Sequence, residues 1–142
     1  MMHISEEDIN RMMRAAIQAR EGAYAPYSGF SVGAAVLTDK RKIYAGANIE
    51  NASYGLTVCA ERMAIGAAVN AGDSDLQALL VVGGDIEDPD KSRFVIPCGA
   101  CRQVMAEFMN DDGVIISATL NGNYESYIIK NLLPKAFKLE EF

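Results

Sequence analysis

The chain has 142 residues, half of them hydrophobic and 23% charged, a composition that fits one globular domain over residues 1–142 and excludes a fibrous or disordered protein. Lys and Arg number 13 against 19 Asp and Glu, a net charge of −6, so there is no overall field for gathering a polyphosphate backbone. No apolar run approaches the roughly 18 residues of a membrane span, Met1 to Asp8 is too acidic for a secretory leader, and an odd cysteine count of 3 cannot all pair within one chain, which together predict a cytoplasmic protein with reduced thiols.

Ser5 and Asp8 form a capping box, and Ile9, Met12, Met13, Ala16 and Ile17 follow at helical spacing, which predicts a first helix reaching about Gly22. Phe30 to Thr38 and Lys42 to Ala47 read as a hairpin around the charged turn Asp39-Lys40-Arg41. Gly33, Ala34 and Ala35 offer little side chain, so another element is expected to pack close to that strand. Cys59 to Ala71 reads as a helix closed by Gly72, and Leu76 to Val82 as a buried strand. Gly83 to Pro97, acidic in its first half, is read as a solvated loop, and Cys98 to Met109 as a helix with Cys101, Val104, Met105 and Phe108 on one stripe. Val114 to Leu120 and Tyr124 to Ile129 flank the hairpin signal Asn121-Gly122, and a short helix or turn covers Lys130 to Leu133. The order α-β-β-α-β-α-β-β predicts an α/β sandwich around a mixed sheet of about five strands.

The thiols carry the chemistry. Cys98-Gly-Ala-Cys101 opens a predicted helix, where the dipole favours the thiolate and both sulfurs can face one point. Such a pair by itself reads as a redox motif, half of a zinc site or an accident. Cys59 also opens a helix, and adjacent crossovers on the strand Leu76 to Val82 would bring all three thiols together. Three protein ligands leave a metal position open to water, as in catalytic zinc sites, and the lone histidine, His3, sits in the N-terminal tail and offers no evident fourth ligand.

Cys59-Ala-Glu61 with Pro97-Cys98-Gly-Ala-Cys101 resembles the zinc-dependent cytidine deaminases in their three-cysteine form. Tyr27 to Ala35, Asn48 to Tyr54, Cys101 to Val104 and Leu132-Leu133-Pro134 are similar to the small homotetrameric members, and the likeness runs in order through nearly the whole chain. It implies a three-layer α/β/α sandwich around a mixed five-stranded sheet. It also implies one zinc ion per subunit on Cys59, Cys98 and Cys101, with Glu61 as the proton shuttle in hydrolysis of cytidine and deoxycytidine to uridine and deoxyuridine. Because three thiolates on a dication leave a net negative centre, Arg62 and Arg102 are candidates to offset it, and the resemblance gives Arg62 a hydrogen bond to a ligand sulfur.

The resemblance further assigns Asn48 and Glu50 to the ribose, Phe30 to the base, and Tyr54, Ala52 and Phe137 to a neighbouring subunit's pocket in a homotetramer. The charge of Glu50 would repel a phosphate and favour free nucleoside. The Ala60 amide is expected to donate to the base carbonyl, and the Ile96 carbonyl to accept from the amino group. Deaminases acting on nucleic acid share the metal signature, but the −6 charge and the antiparallel hairpin at Asn121-Gly122 oppose that reading, so neither nucleic acid nor membrane is expected as a partner. Two alternatives stay open: a deaminase of another small cytosine compound such as blasticidin S, which Asn48-Ile-Glu-Asn51 disfavours, and a non-catalytic zinc fold, which Glu61 opposes.

Overall fold

A computed structural model describes residues 4–85 and 93–139. His3 and the acidic centre of the Gly83 to Pro97 segment, with Glu87, Asp88 and Asp90, lie outside the described residues. The elements are α1 (Glu6–Arg20), β1 (Phe30–Thr38), β2 (Ile43–Ala47), a short 3-10 turn (Tyr54–Leu56), α2 (Ala60–Asn70), β3 (Leu76–Asp85), α3 (Gly99–Phe108), β4 (Met109–Ala118), β5 (Tyr124–Ile128) and α4 (Ile129–Leu132).

The five strands form one mixed sheet in the order β2-β1-β3-β4-β5, parallel between β3 and β4 and antiparallel elsewhere. Helices cover both faces. On one, α1 lays Ile9, Met12, Met13 and Ala16 onto Ala35, Leu37, Ala78, Leu80, Val82 and Ile116. On the other, α2 and α3 bring Ala60, Ala64, Ala68, Cys101 and Met105 against Ala34, Val36, Leu79, Val81 and Ile115. Each large side chain in these layers contributes about 1.5–3 kcal/mol by leaving water. The side chains of β1, β3 and β4 alternate between the two layers, so these strands are buried on both sides and read as near-continuous apolar runs.

Absent side chains set the helix positions. A Cβ at Gly33 would lie 1.9 Å from the Ala16 carbonyl oxygen, so α1 rests directly on the β1 backbone, the close packing that the small residues of that strand predict. A Cβ at Gly46 would lie 2.6 Å from Met63 Cβ and 2.7 Å from the Ala64 nitrogen, which seats α2 against β2. The N-terminal end of α2 is thereby held toward the start of β1, the strand end that pairs with the C-terminal end of β3.

Several boundaries differ from the sequence reading, each for a local reason. The capping box is present, with Ser5 Oγ accepting from the Asp8 amide and Asp8 accepting from the Ser5 amide, each at 3.1 Å, but α1 ends at Arg20 rather than Gly22. Cys59 and Cys98 are N-caps with extended backbones rather than residues of the first turn. β3 continues through Gly83 to Asp85 because those residues pair with Val32, Ser31 and Phe30 of β1. Met109 is strand rather than helix: its backbone is extended and pairs with Leu76, and regular pairing resumes at Val114 after an irregularity. In the last hairpin, Gly122 donates to the Thr119 carbonyl at 3.0 Å and takes φ +93°, which closes a turn over Thr119 to Gly122 and ends β4 at Ala118, short of Leu120.

Candidate active site

The β3–α3–β4 crossover puts the N-terminus of α3 at the C-terminal end of β3, and the chain from β2 through α2 into β3 brings the N-terminus of α2 to the same place. An α-helix leaves its first amides without intrahelical partners. Here the first carbonyls to accept within each helix are those of the caps, Cys59 from the Met63 amide at 3.1 Å and Cys98 from the Arg102 amide at 3.0 Å. Two positive helix ends therefore meet, and the three cysteines stand where they meet.

The Sγ atoms of Cys59, Cys98 and Cys101 all lie within 4.8 Å of one another, and those of Cys98 and Cys101 are 3.7 Å apart. Sulfurs about 2.3 Å from a tetrahedral zinc ion sit roughly 3.8 Å from each other, so the donor set and its spacing fit that ion with a fourth position to spare. The Cys59 thiol is pulled down to about 6, first by a hydrogen bond from the Cys101 thiol and then, against the effect of burial, by the Arg62 guanidinium. The Cys101 thiol is pushed up by its bond to Cys59 and by burial. A cluster whose surroundings pull one thiol toward its thiolate form is suited to a cation.

Glu61 stands beside the cluster at the second position of α2 and is 5% exposed. Burial pushes its pKa above the ordinary carboxylate range, and the charge of Cys59 adds to the rise, while its own amide and the Cys101 thiol bond to it and act the other way. Ala60, ahead of it, is fully buried and contributes its amide to the same helix end. Arg62 Nη2 donates to the Thr57 carbonyl at 3.2 Å, which fixes the guanidinium next to Cys59. Arg102, the other candidate to offset the charge, bonds carbonyls rather than sulfur: Nε donates to Pro97 at 2.7 Å and Nη1 to Leu132 at 2.9 Å.

The polar loop is tied to the start of β1 and the turn before it. Asn48 is buried and clamps the start of β1, its Oδ1 accepting from the Val32 amide at 2.9 Å and its Nδ2 donating to the Phe30 carbonyl at 3.0 Å. Glu50 is also buried and accepts from the Tyr27 amide, the Ser28 amide and the Ser28 hydroxyl, at 3.0, 3.2 and 2.5 Å. The Ser28 hydroxyl bond leads the interactions that hold the Glu50 carboxyl below its ordinary pKa, so it is ionised at neutral pH. The sequence reading did not anticipate these local roles, because bonds between residues 16 to 23 positions apart leave no periodic trace. Neither side chain is saturated: the amide nitrogen of Asn48 keeps a second hydrogen and the carboxylate of Glu50 a lone pair.

Phe30 is half-buried over Gly83, where a Cβ would meet its ring at 2.9 Å, and the Arg93 guanidinium lies 6.0 Å from the ring centroid. Tyr54 and Phe137 stand out in solvent, 77% and 71% exposed, although Gln103 Nε2 holds the Phe137 carbonyl at 2.9 Å. Ala52 is exposed in the same loop as Tyr54.

Residues 6–118 match a family described as the cytidine and deoxycytidylate deaminase zinc-binding region. A cytidine deaminase of Halalkalibacterium halodurans is 48% identical over 134 residues, 94% of this chain and 97% of that protein. The crystal structure of cytidine deaminase from Burkholderia pseudomallei superposes with a TM-score of 0.80 at 41% identity, covering 96% of this chain and all of that one. A blasticidin-S deaminase of Bacillus cereus is 37% identical over 105 residues, 72% of this chain and 74% of that protein.

Proposed function

Because this chain belongs to the cytidine and deoxycytidylate deaminase family, we propose that it hydrolyses free cytidine and deoxycytidine to uridine and deoxyuridine with release of ammonia, a step of pyrimidine salvage in the cytoplasm. The observation that carries the proposal is Glu61, a buried carboxyl with a raised pKa beside converging thiols at joined helix ends.

Cys59, Cys98 and Cys101 would hold the zinc ion. Zinc held there supplies the Lewis acidity that makes water nucleophilic near neutral pH. Glu61 accepts a proton from the attacking water and passes it to N3 of the cytosine ring as oxygen adds at C4. It then carries the proton of the newly added 4-hydroxyl to the 4-amino group, so that the C4–N bond breaks as the C4 carbonyl forms and ammonia leaves. A carboxyl with an elevated pKa suits both directions of transfer. The Arg62 guanidinium and the free amides of α2 and α3 offset the negative centre.

The Ala60 amide holds the base carbonyl, the Ile96 carbonyl accepts from the amino group, and Phe30 covers the ring. The remaining capacity of Asn48 and Glu50 is directed to ribose hydroxyls, and the ionised Glu50 disfavours a phosphate, which supports nucleoside over nucleotide or polymer. The exposure of Tyr54 and Phe137 supports a homotetramer in which each single-domain chain, residues 1–142, completes a neighbour's pocket.

A panel of cytidine, deoxycytidine, CMP, cytosine, blasticidin S and a single-stranded oligonucleotide, followed by ultraviolet absorbance beside metal analysis, tests the proposal. Turnover of the two nucleosides by protein with one zinc per chain is expected. Turnover of blasticidin S alone, the reading favoured by the likeness to the Bacillus cereus protein, would overturn it.

A further inference from the structure

Ser117 stands out in β4 as a hydroxyl within the apolar run Val114 to Ala118, and it is almost fully buried. Alternation with Ile115 and Ile116 puts it on the α2 and α3 face, at the end of the strand nearest the cysteines. A buried hydroxyl is costly unless it is bonded. Its partner is the Val95 carbonyl, to which Oγ donates at 2.7 Å. Two residues further along, the Pro97 carbonyl accepts from Arg102 Nε, also at 2.7 Å. Neither bond belongs to a helix or to the sheet ladder, and both hold the segment that leads into Cys98.

Between them lies Ile96. Pro97 restricts Ile96 to extended conformations, and the Cys98 backbone is itself extended. Along an extended chain successive carbonyls face opposite sides, so fixing those of Val95 and Pro97 on one side turns that of Ile96 to the other. Among the described residues no donor is bonded to the Ile96 carbonyl.

We infer that Ser117 and Arg102 are a pair of positioning residues that aim the Ile96 carbonyl at the 4-amino group of the substrate, and so select an amino-bearing pyrimidine over its 4-oxo product. This rests on the deaminase reading above. Neither side chain touches the ligand. They act by occupying the carbonyls on each side, so that the remaining one is presented without rearrangement when the base arrives.

The test compares ligands that differ only at that position. In zinc-loaded Glu61→Gln protein, where turnover is expected to fall by about 10³-fold, the affinities for cytidine and uridine are measured alone and combined with Ser117→Ala or Arg102→Lys, the latter keeping the charge but not the two-carbonyl reach. Each addition is expected to weaken cytidine binding by about 10-fold, the value of one hydrogen bond, and to leave uridine within about twofold. Equal losses for both ligands would show a merely structural role and overturn the inference, as would no loss for either. If Ser117→Ala does not fold, Arg102→Lys, on a half-exposed side chain, decides alone. Failure of the wild-type holoenzyme to deaminate cytidine would instead remove the underlying reading, and the inference with it.

Discussion

Two carboxyls occupy similar places on opposite faces of the sheet and have opposite chemistry. Asp8 lies in the first turn of α1 and is 1% exposed, and Glu61 lies in the first turn of α2 and is 5% exposed. Burial opposes ionisation of both. At Asp8 the Ser5 amide and hydroxyl and the Arg41 guanidinium, 2.6 Å away, outweigh burial and hold the pKa below its ordinary value. At Glu61 burial wins, and the charge of Cys59 reinforces it. One carboxyl is locked as an anion that ties α1 to the first hairpin, whereas the other is left able to take and release a proton. The contrast comes from the neighbours, since the helix position is nearly the same.

The sharpest way to break the comparison is to remove each charge in turn. Glu61→Gln is expected to lower turnover by about 10³-fold while zinc content holds and the melting temperature stays at or above that of the wild type, because the ionised form is the disfavoured one. Metal analysis, kcat and thermal melting check this together, and near-normal turnover would refute the shuttle role. Removing the cation beside Cys59 with Arg62→Gln should weaken zinc affinity by about 10–100-fold, measured by competition with a chelator.

Asp8→Asn should do the reverse of Glu61→Gln, costing about 2 kcal/mol of stability at neutral pH and leaving the activity of the folded protein unchanged. The sign follows from the depressed pKa: the contribution of Asp8 is present above its ordinary value of 3.8 and is lost as pH falls through the lower folded value. The gap between wild type and variant in pH-dependent melting should therefore close in acid. The smallest effect belongs to Ser5→Ala, which removes one acceptor of the capping box and should cost about 1 kcal/mol by the same measurement.

Much of this was legible in the chain. The capping box, the apolar strands, the antiparallel hairpins and the thiol motifs are local patterns, and each appears close to its expected residues. The ends of elements were harder to read. Met109 has the composition of a helix residue, yet pairing with Leu76 makes it strand, and Gly83 to Asp85 become strand through β1. The bonding of Asn48, Glu50, Arg102 and Ser117 could not be read either, because each holds a backbone group that is distant in sequence or outside any regular element.

The sequence alone singled out the candidates for chemistry, three thiols and a glutamate at helix starts, on a pattern of alternating elements whose periodicity requires a two-sided sheet. Only the tertiary structure decided what those groups do to one another. It brought the thiols within 4.8 Å, buried Glu61 against an anion while giving Asp8 a cation, and turned Arg102 toward carbonyls and Arg62 toward sulfur. The physical reason is that periodicity and capping act over a few residues. Burial and electrostatic coupling depend on distances that exist only after β3 has drawn the two helix ends together.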